Sequence, residues 1–185
     1  MNNETKLKNI LTANPEVMAV LEAAATLPLP DCWVFAGLIR NRVWDALYSV
    51  HSEMNDIDVI YFDATDCSVE TEKHWERVLY ERFPEHPWSV KNQARMHEKN
   101  QLAPFKSSFD GVAHFTEIPT AIAARIYEGQ LEIMAPHGLD DLFAGIVKPT
   151  PAFQAMPFLA IYKKRMHEKQ WHYIWPKLTI VLQQS

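Results

Sequence analysis

Nine consecutive residues constrain this chain more than any others: Asn55-Asp56-Ile57-Asp58-Val59-Ile60-Tyr61-Phe62-Asp63. Val-Ile-Tyr-Phe is a β-forming run, so the stretch predicts a strand with two acids at its leading end. Side chains alternate along a strand. Asp56 and Asp58 therefore leave from one face, about 6.5–7 Å apart, and Ile57, Val59 and Tyr61 leave from the other. A fold built on this strand needs one buried sheet face and one face open enough for carboxylates. Two acids that close repel each other unless a proton or a cation lies between them. An oxygen-rich pair of this kind suits a hard divalent ion, Mg²⁺ above all. The plainer alternative is a solvated turn entering an edge strand.

The residues ahead of the acids add to the constraint. Cys32-Trp33-Val34-Phe35-Ala36 is a short apolar run that predicts a buried strand. Gly37 follows, and from Leu38 to Val50 the residues Ile39, Val43, Trp44, Leu47 and Val50 fit one helical face. A glycine between a buried strand and a helix start lets a ligand approach the backbone closely. The free amides of the helix N-terminus suit a phosphate, and Arg40 and Asn41 lie in the first turn. A phosphate-friendly turn, one helix and then an Asp-x-Asp strand is a layout for a nucleoside triphosphate with Mg²⁺.

The remaining pattern predicts an α/β (α+β) unit. Residues 3–26 are helical in periodicity, with a break at Asn14-Pro15. Asp66 or Ser68 caps a helix over 69–83 whose packing face is Trp75, Val78, Leu79 and Phe83. Residues 88–94 have β character, with Trp88, Val90 and Asn92 on one face and Ser89, Lys91 and Gln93 on the other. Lys91 and Gln93 share a face that Arg95 continues if the strand persists, a polar row suited to triphosphate oxygens. The polar stretch from Arg95 to Phe115 predicts a long loop. Thr116–Pro119 predicts a helix start leading into Ala121–Glu128, stopped by Gly129. A strand over 131–134, a short helix over 139–147 and two aromatic-rich helices over 153–183, the second interrupted near Pro176, complete the expectation. The sum is a small mixed sheet of four or five strands, helices on one face, and a helical C-terminal extension. The whole of 1–185 forms one unit with its core at about 30–150. The hexapeptide Arg95-Met96-His97-Glu98-Lys99-Asn100 returns as Arg165-Met166-His167-Glu168-Lys169-Gln170, too short an echo for a structural repeat.

Composition excludes several classes. A net charge of −5 argues against broad binding to a nucleic-acid backbone, while leaving room for a local basic pocket. No apolar run approaches the ~20 residues of a membrane span. The N-terminus lacks a signal-peptide core, and Cys32 and Cys67 give no disulfide framework or metal motif, so a reduced cytoplasmic setting is the expectation. His97-Glu98 and His167-Glu168 have Gln101 and Trp171 where a zinc protease needs its second histidine. A phosphate-binding Walker loop and a serine nucleophile elbow are also absent from the sequence. Trp171, Tyr173 and Trp175 fit core packing or a partner surface better than base stacking.

The turn Ala36-Gly37-Leu38-Ile39-Arg40-Asn41 followed by Asp56-Ile57-Asp58 resembles the DNA polymerase beta-type nucleotidyltransferase superfamily. It resembles more narrowly the head domain of tRNA nucleotidyltransferases and poly(A) polymerases, with their Gly-Gly-x-x-Arg-Asp turn. Glu132–Leu142 is similar to their later strand–Gly–Leu–Asp–Leu stretch. A family of small bacterial proteins in this superfamily is matched in four blocks, Ala36–Asp45, Asn55–Asp63, Val90–His97 and Ala135–Pro151. The resemblance implies transfer of a nucleotidyl group from Mg²⁺-bound ATP or another triphosphate to an acceptor hydroxyl. It implies that Asp56 and Asp58 hold the metal and carry catalysis, with Gly37, Arg40, Asn41, Lys91 and Arg95 binding the nucleotide. The departures are Ala36 for the first glycine, Asn41 for the acid of the turn, and Leu38 where the wider superfamily has Gly or Ser. The third carboxylate of many members is missing from 88–94, which offers Asn92 and Gln93, leaving Asp110 and Glu132 as distant candidates. A small molecule or protein side chain is a better acceptor than tRNA, which needs a large basic body; a homo-oligomer stays open. The competing readings are a catalytically silent nucleotide- or partner-binding relative of the antitoxin kind, and a Mg²⁺-dependent phosphohydrolase.

Overall fold

The computed structural model describes residues 1–182. Two N-terminal helices, α1 (Asn3–Thr12) and α2 (Pro15–Ala25), separate where Asn14-Pro15 dictates. The Asn14 side chain accepts from the amides of Glu16 and Val17, and Pro15 takes the first helical position, where a missing N–H is no loss. β1 (Trp33–Phe35) passes through Ala36 into α3 (Gly37–Tyr48), and β2 (Ile57–Tyr61) follows. α4 (Val69–Arg82) starts at Ser68, whose hydroxyl accepts from the Thr71 amide, and β3 (Trp88–Asn92) returns to the sheet.

β4 (Ala123–Tyr127) and β5 (Gln130–Met134) complete a five-stranded sheet in the order β3-β2-β1-β4-β5. Only β2 and β3 run parallel; the other neighbours are antiparallel. This is the expected mixed sheet in a mixed α/β fold. Alternation along β2 divides the molecule. Ile57, Val59 and Tyr61 face a large core with Leu7, Leu11, Ile39 and Trp44. Leu7 and Leu11 have no exposed surface, and burial worth ~1.5–3 kcal/mol each holds a ten-residue helix that would be marginal alone. On the opposite face Trp33, Phe35, Ile60 and Ala123 sit under a smaller cover that includes Val112 and Phe115. That cover reaches Ile60 of β2, while Asp58, Ser89 and Lys91 on the same face stay only half-buried.

Several expectations are corrected. Ala121–Glu128 is not a helix: a 3₁₀ turn at Ile118–Thr120 leads into β4. Glu128 (φ 48°) and Gly129 (φ 74°) are the two centres of a type I′ hairpin between Tyr127 and Gln130. Sheet pairing on both edges of β4 overrides the helix propensity of its alanines. The stretch 95–115 is not one loop. β3 stops at Asn92, whose side chain accepts from the Ala94 amide and starts α5 (Gln93–Met96). A 3₁₀ turn at His97–Asn100 follows, and α6 (Ser108–Ala113) is capped by Ser107. Gln93 therefore opens a helix and does not extend the strand row with Lys91. Farther on, α7 (Asp140–Ala144) ends at Gly145 in the left-handed region (φ 67°), and β6 (Ile146–Val147) takes over. Among the described residues one C-terminal α-helix forms, α8 (Phe158–Lys169). Gln170 breaks it with φ 48°, and a 3₁₀ turn at Trp171–Tyr173 leads to β7 (Thr179–Ile180), which pairs in parallel with β6. The last residue of the expected second helix, Gln183, lies outside the described residues. No helix among the described residues is long and apolar enough to cross a membrane.

Candidate active site

Asp56 immediately precedes β2 and Asp58 is its second residue, registered against Phe35 of β1 and Ser89 of β3. Asp58 thus sits on a strand with neighbours on both sides. Burial, with the Asp56 charge adding to it, pushes the Asp58 carboxyl above the usual carboxylate range; the Ser89 hydroxyl, donating to it, pulls the other way. Neither acid forms an ion pair among the described residues.

The Gly37 turn meets the acids directly. A Cβ placed on Gly37 would lie 3.9 Å from both Asp56 Oδ1 and Arg40 Nη2, ordinary van der Waals contact, which places the turn directly beside the first acid. No side chain caps the N-terminus of α3, and its first amides stay free for an anion. Ala36 sets the turn with φ 63° and ψ −110°, its N–H donating to the Ile122 carbonyl at 2.8 Å.

Arg40 is beside the acids but inside the protein. Its Nε and Nη2 donate to Asn41 Oδ1, and Nη1 donates to the Thr120 hydroxyl at 2.8 Å. The guanidinium lies 4.1 Å from the Trp171 ring centre and 5.1 Å from that of Trp44. Burial lowers its pKa to about 10, opposed chiefly by the charge of Glu117, so it remains a cation at neutral pH. Asn41 lies in the same cleft with its amide oxygen committed to Arg40. Lys91 is on the Asp58 face, its Nζ 3.7 and 3.8 Å from Glu72 and Glu76 of α4. Arg95 is drawn away from the acids: its Nε and Nη2 bind the two oxygens of fully buried Glu72 at 2.7 and 2.6 Å. The structure brings together Asp56, Asp58, Gly37 and Arg40, places Asn41 and Lys91 at the margins, and holds Arg95 elsewhere.

Each acid lines a hollow of its own. Asp56 lines a cleft of about 320 Å³ with Gly37, Arg40, Asn41, Lys169 and Trp171. Asp58 lines a cavity of about 490 Å³ floored by Phe35, Ile60 and Phe115 and rimmed by Lys91, Lys99, Lys164 and Arg165. Helix α8 forms the wall opposite the sheet, contributing Ile161, Lys164, Arg165 and Glu168. Glu117, Arg165 and Lys169 had no signal in the sequence, because only the folded chain carries α8 across to β2. Both copies of the echoed hexapeptide border this cavity, Met96, Lys99 and Asn100 from the first, Arg165 and Glu168 from the second.

No cluster of three or more metal-ligating acids, histidines or cysteines occurs among the described residues. Asn92 faces away from Asp58, binding the backbone carbonyls of Asp63 and Asp66. Asp110 accepts from the Lys106 amide and lies 3.2 Å from His114. Glu132 is paired with Arg125 at 2.7 Å on β5, three strand spacings or roughly 14 Å from β2. The donor set is two carboxylates on one face without a resident cation partner. It fits one hard divalent ion whose other positions are filled by phosphate and water.

The sequence matches the family described as "Nucleotidyltransferase" over residues 22–180. This chain belongs to that nucleotidyltransferase family. The nucleotidyltransferase is 35% identical to a protein whose NMR structure is described as revealing a CCA-adding enzyme head domain. The likeness covers 94% of this chain and 95% of that one, at a TM-score of 0.83. A CCA-adding enzyme solved with CTP shares the fold at 12% identity and a TM-score of 0.59, this chain spanning 43% of that one's length. No curated protein sequence matches the nucleotidyltransferase.

Proposed function

We propose that this nucleotidyltransferase moves a nucleotidyl group from a Mg²⁺-bound nucleoside triphosphate to an acceptor hydroxyl, with Asp56 and Asp58 holding the cation. The observation that carries the reading is the meeting of the uncapped, side-chain-free Gly37 turn with two unpaired carboxylates, Asp56 Oδ1 lying beside the glycine. The CTP complex of a CCA-adding enzyme with the same fold supports a nucleoside triphosphate as donor. When bound, the cation offsets charge on the triphosphate and the leaving pyrophosphate.

This chain's own residues supply the rest. The α3 amides and Gly37 cradle phosphate oxygens; Arg40, fixed by Asn41 and Thr120, provides a positive field beneath them. The acceptor oxygen bonds to the α-phosphorus as the bond from that phosphorus to the bridging oxygen of pyrophosphate breaks. The hydroxyl proton leaves to bulk water through the open side of the cavity, the carboxylates being committed to the cation. The cavity of about 490 Å³ beside Asp58 is shared by the donor's phosphates and the acceptor, which leaves room for a small molecule or a single side chain as acceptor. A second reading, a silent nucleotide-binding relative, draws on the absence of a third acid beside the pair among the described residues.

One experiment separates these readings. Purified protein is incubated with labelled triphosphates and Mg²⁺, and pyrophosphate, phosphate and bound nucleotide are measured. Transferase action releases pyrophosphate, a phosphohydrolase releases phosphate, and a silent relative binds without release. Asp56→Asn/Asp58→Asn is expected to weaken Mg²⁺-dependent binding at least tenfold; unchanged binding would falsify the metal assignment.

A further inference from the structure

Arg40 and Arg95, the arginines that the motif assigns to phosphate, are both engaged inside the protein, the first with Asn41 and Thr120 and the second with Glu72. Arg165 is placed differently. Its Nε donates to both carboxylate oxygens of Glu117, at 2.9 and 3.1 Å, and Glu117 has no exposed surface. Nη1 and Nη2 make no hydrogen bond among the described residues, although the side chain is only 27% exposed. It lines the larger cavity together with Asp58, Ser89 and Lys91. Glu117 also accepts from the Thr120 hydroxyl at 3.1 Å, and that hydroxyl accepts from Arg40 Nη1 at 2.8 Å. A buried chain, Arg165–Glu117–Thr120–Arg40, therefore fixes one arginine on each side of the acid pair.

We propose that Arg165 is the arginine that binds phosphate oxygens of the donor triphosphate, presented across the cavity from Asp58 by the buried carboxylate of Glu117. The inference rests on the nucleotidyltransferase reading and deepens it. A guanidinium anchored through Nε alone keeps both terminal NH₂ groups in one plane, the fork that matches two phosphate oxygens. Because Glu117 already restrains the side chain, less rotamer freedom remains to be lost when the anion arrives. Glu117 pairs directly with Arg165 alone and reaches Arg40 only through the Thr120 hydroxyl, so the terminal NH₂ groups of Arg165 stay uncommitted on the cavity side. Lysine in place of Arg165 would carry the charge without the fork.

The test is isothermal titration of each of the four common nucleoside triphosphates, the matching monophosphates and inorganic tripolyphosphate, all with Mg²⁺ at fixed salt. Wild type, Arg165→Lys and Arg165→Met are compared. Glu117→Gln/Arg165→Met is added because it leaves no unpaired buried charge if the single variant folds poorly. Loss of a charge-assisted hydrogen-bond pair predicts triphosphate and tripolyphosphate binding about 10–100-fold weaker in both methionine variants, with monophosphates within about threefold of wild type. Arg165→Lys is expected between wild type and Arg165→Met. A wild type that binds neither triphosphates nor tripolyphosphate overturns the nucleotidyltransferase reading and this inference with it. A wild type that binds, with folded methionine variants that bind equally well, overturns this inference alone. Equal losses for mono- and triphosphates also overturn it, since they indicate a structural role.

Discussion

Ala36 closes β1 with φ 63° and ψ −110°, a conformation that a residue with a Cβ rarely adopts. The chain needs it there: the Ala36 N–H reaches the Ile122 carbonyl while Gly37 opens α3 beside Asp56. The resembling head domains have glycine at this position, and the backbone now gives the reason. Strain of roughly 1–3 kcal/mol exceeds the lost methyl burial and added chain entropy of glycine together. Ala36→Gly is therefore expected to raise stability by about 0.5–1 kcal/mol in urea unfolding; a loss would show the turn to be unstrained. Asp58 carries the opposite kind of conflict. Burial and Asp56 raise its folded pKa above the unfolded value, so its stabilising contribution is full below about pH 4 and disappears as pH rises through the folded pKa. Without divalent cation at pH 7, Asp58→Asn should melt a few degrees above wild type, the response of a chain this long to about 1 kcal/mol. The gap should close as the pH falls toward 4. A gap that widens on acidification would reverse the sign of the argument.

At the scale of elements, legibility followed how local the deciding interaction is. The strand–Gly37–helix–strand unit was readable because periodicity and one glycine specify it within about thirty residues. Asn14-Pro15 and Ser68 marked helix starts because a cap acts within one turn. β4 was misread because nothing local distinguishes Ala-Ile-Ala-Ala from a helix. Its identity comes from β1 on one edge and β5 on the other, neither visible in a window of sequence. Glu128 hid the hairpin: a type I′ turn usually advertises itself with Asn-Gly or Asp-Gly, and here the first centre is Glu128 at φ 48°. The site divides along the same line. Gly37, Asp56 and Asp58 were legible as a motif. Arg165 was invisible because its anchor, Glu117, lies far from it in the chain and only the folded molecule brings α8 beside β2. Arg95 was misleading because the buried partner that captures it, Glu72, sits on the neighbouring α4.

Over the whole molecule, the sheet presents acids where the −5 chain can least spread their charge, between two hollows and beneath a basic wall from α8. Without ligand, Asp56 and Asp58 repel each other, and Lys164 and Arg165 face a cavity with two acids, Asp58 and Glu168. A triphosphate with its cation answers both imbalances at once, so the folded state should gain stability steeply on binding. At free ligand about 100 times Kd, mass action contributes ~2.7 kcal/mol, which for a chain of this size raises Tm by roughly 5–10 °C. Differential scanning fluorimetry with Mg²⁺ alone, triphosphate alone and both together is expected to show the large shift only with both. Asp56→Asn/Asp58→Asn should abolish that synergy while still melting cooperatively. A shift of the same size with triphosphate alone would mean that the arginines and the α3 amides hold the anion without the acids, and the site would then be an anion pocket rather than a metal-dependent one.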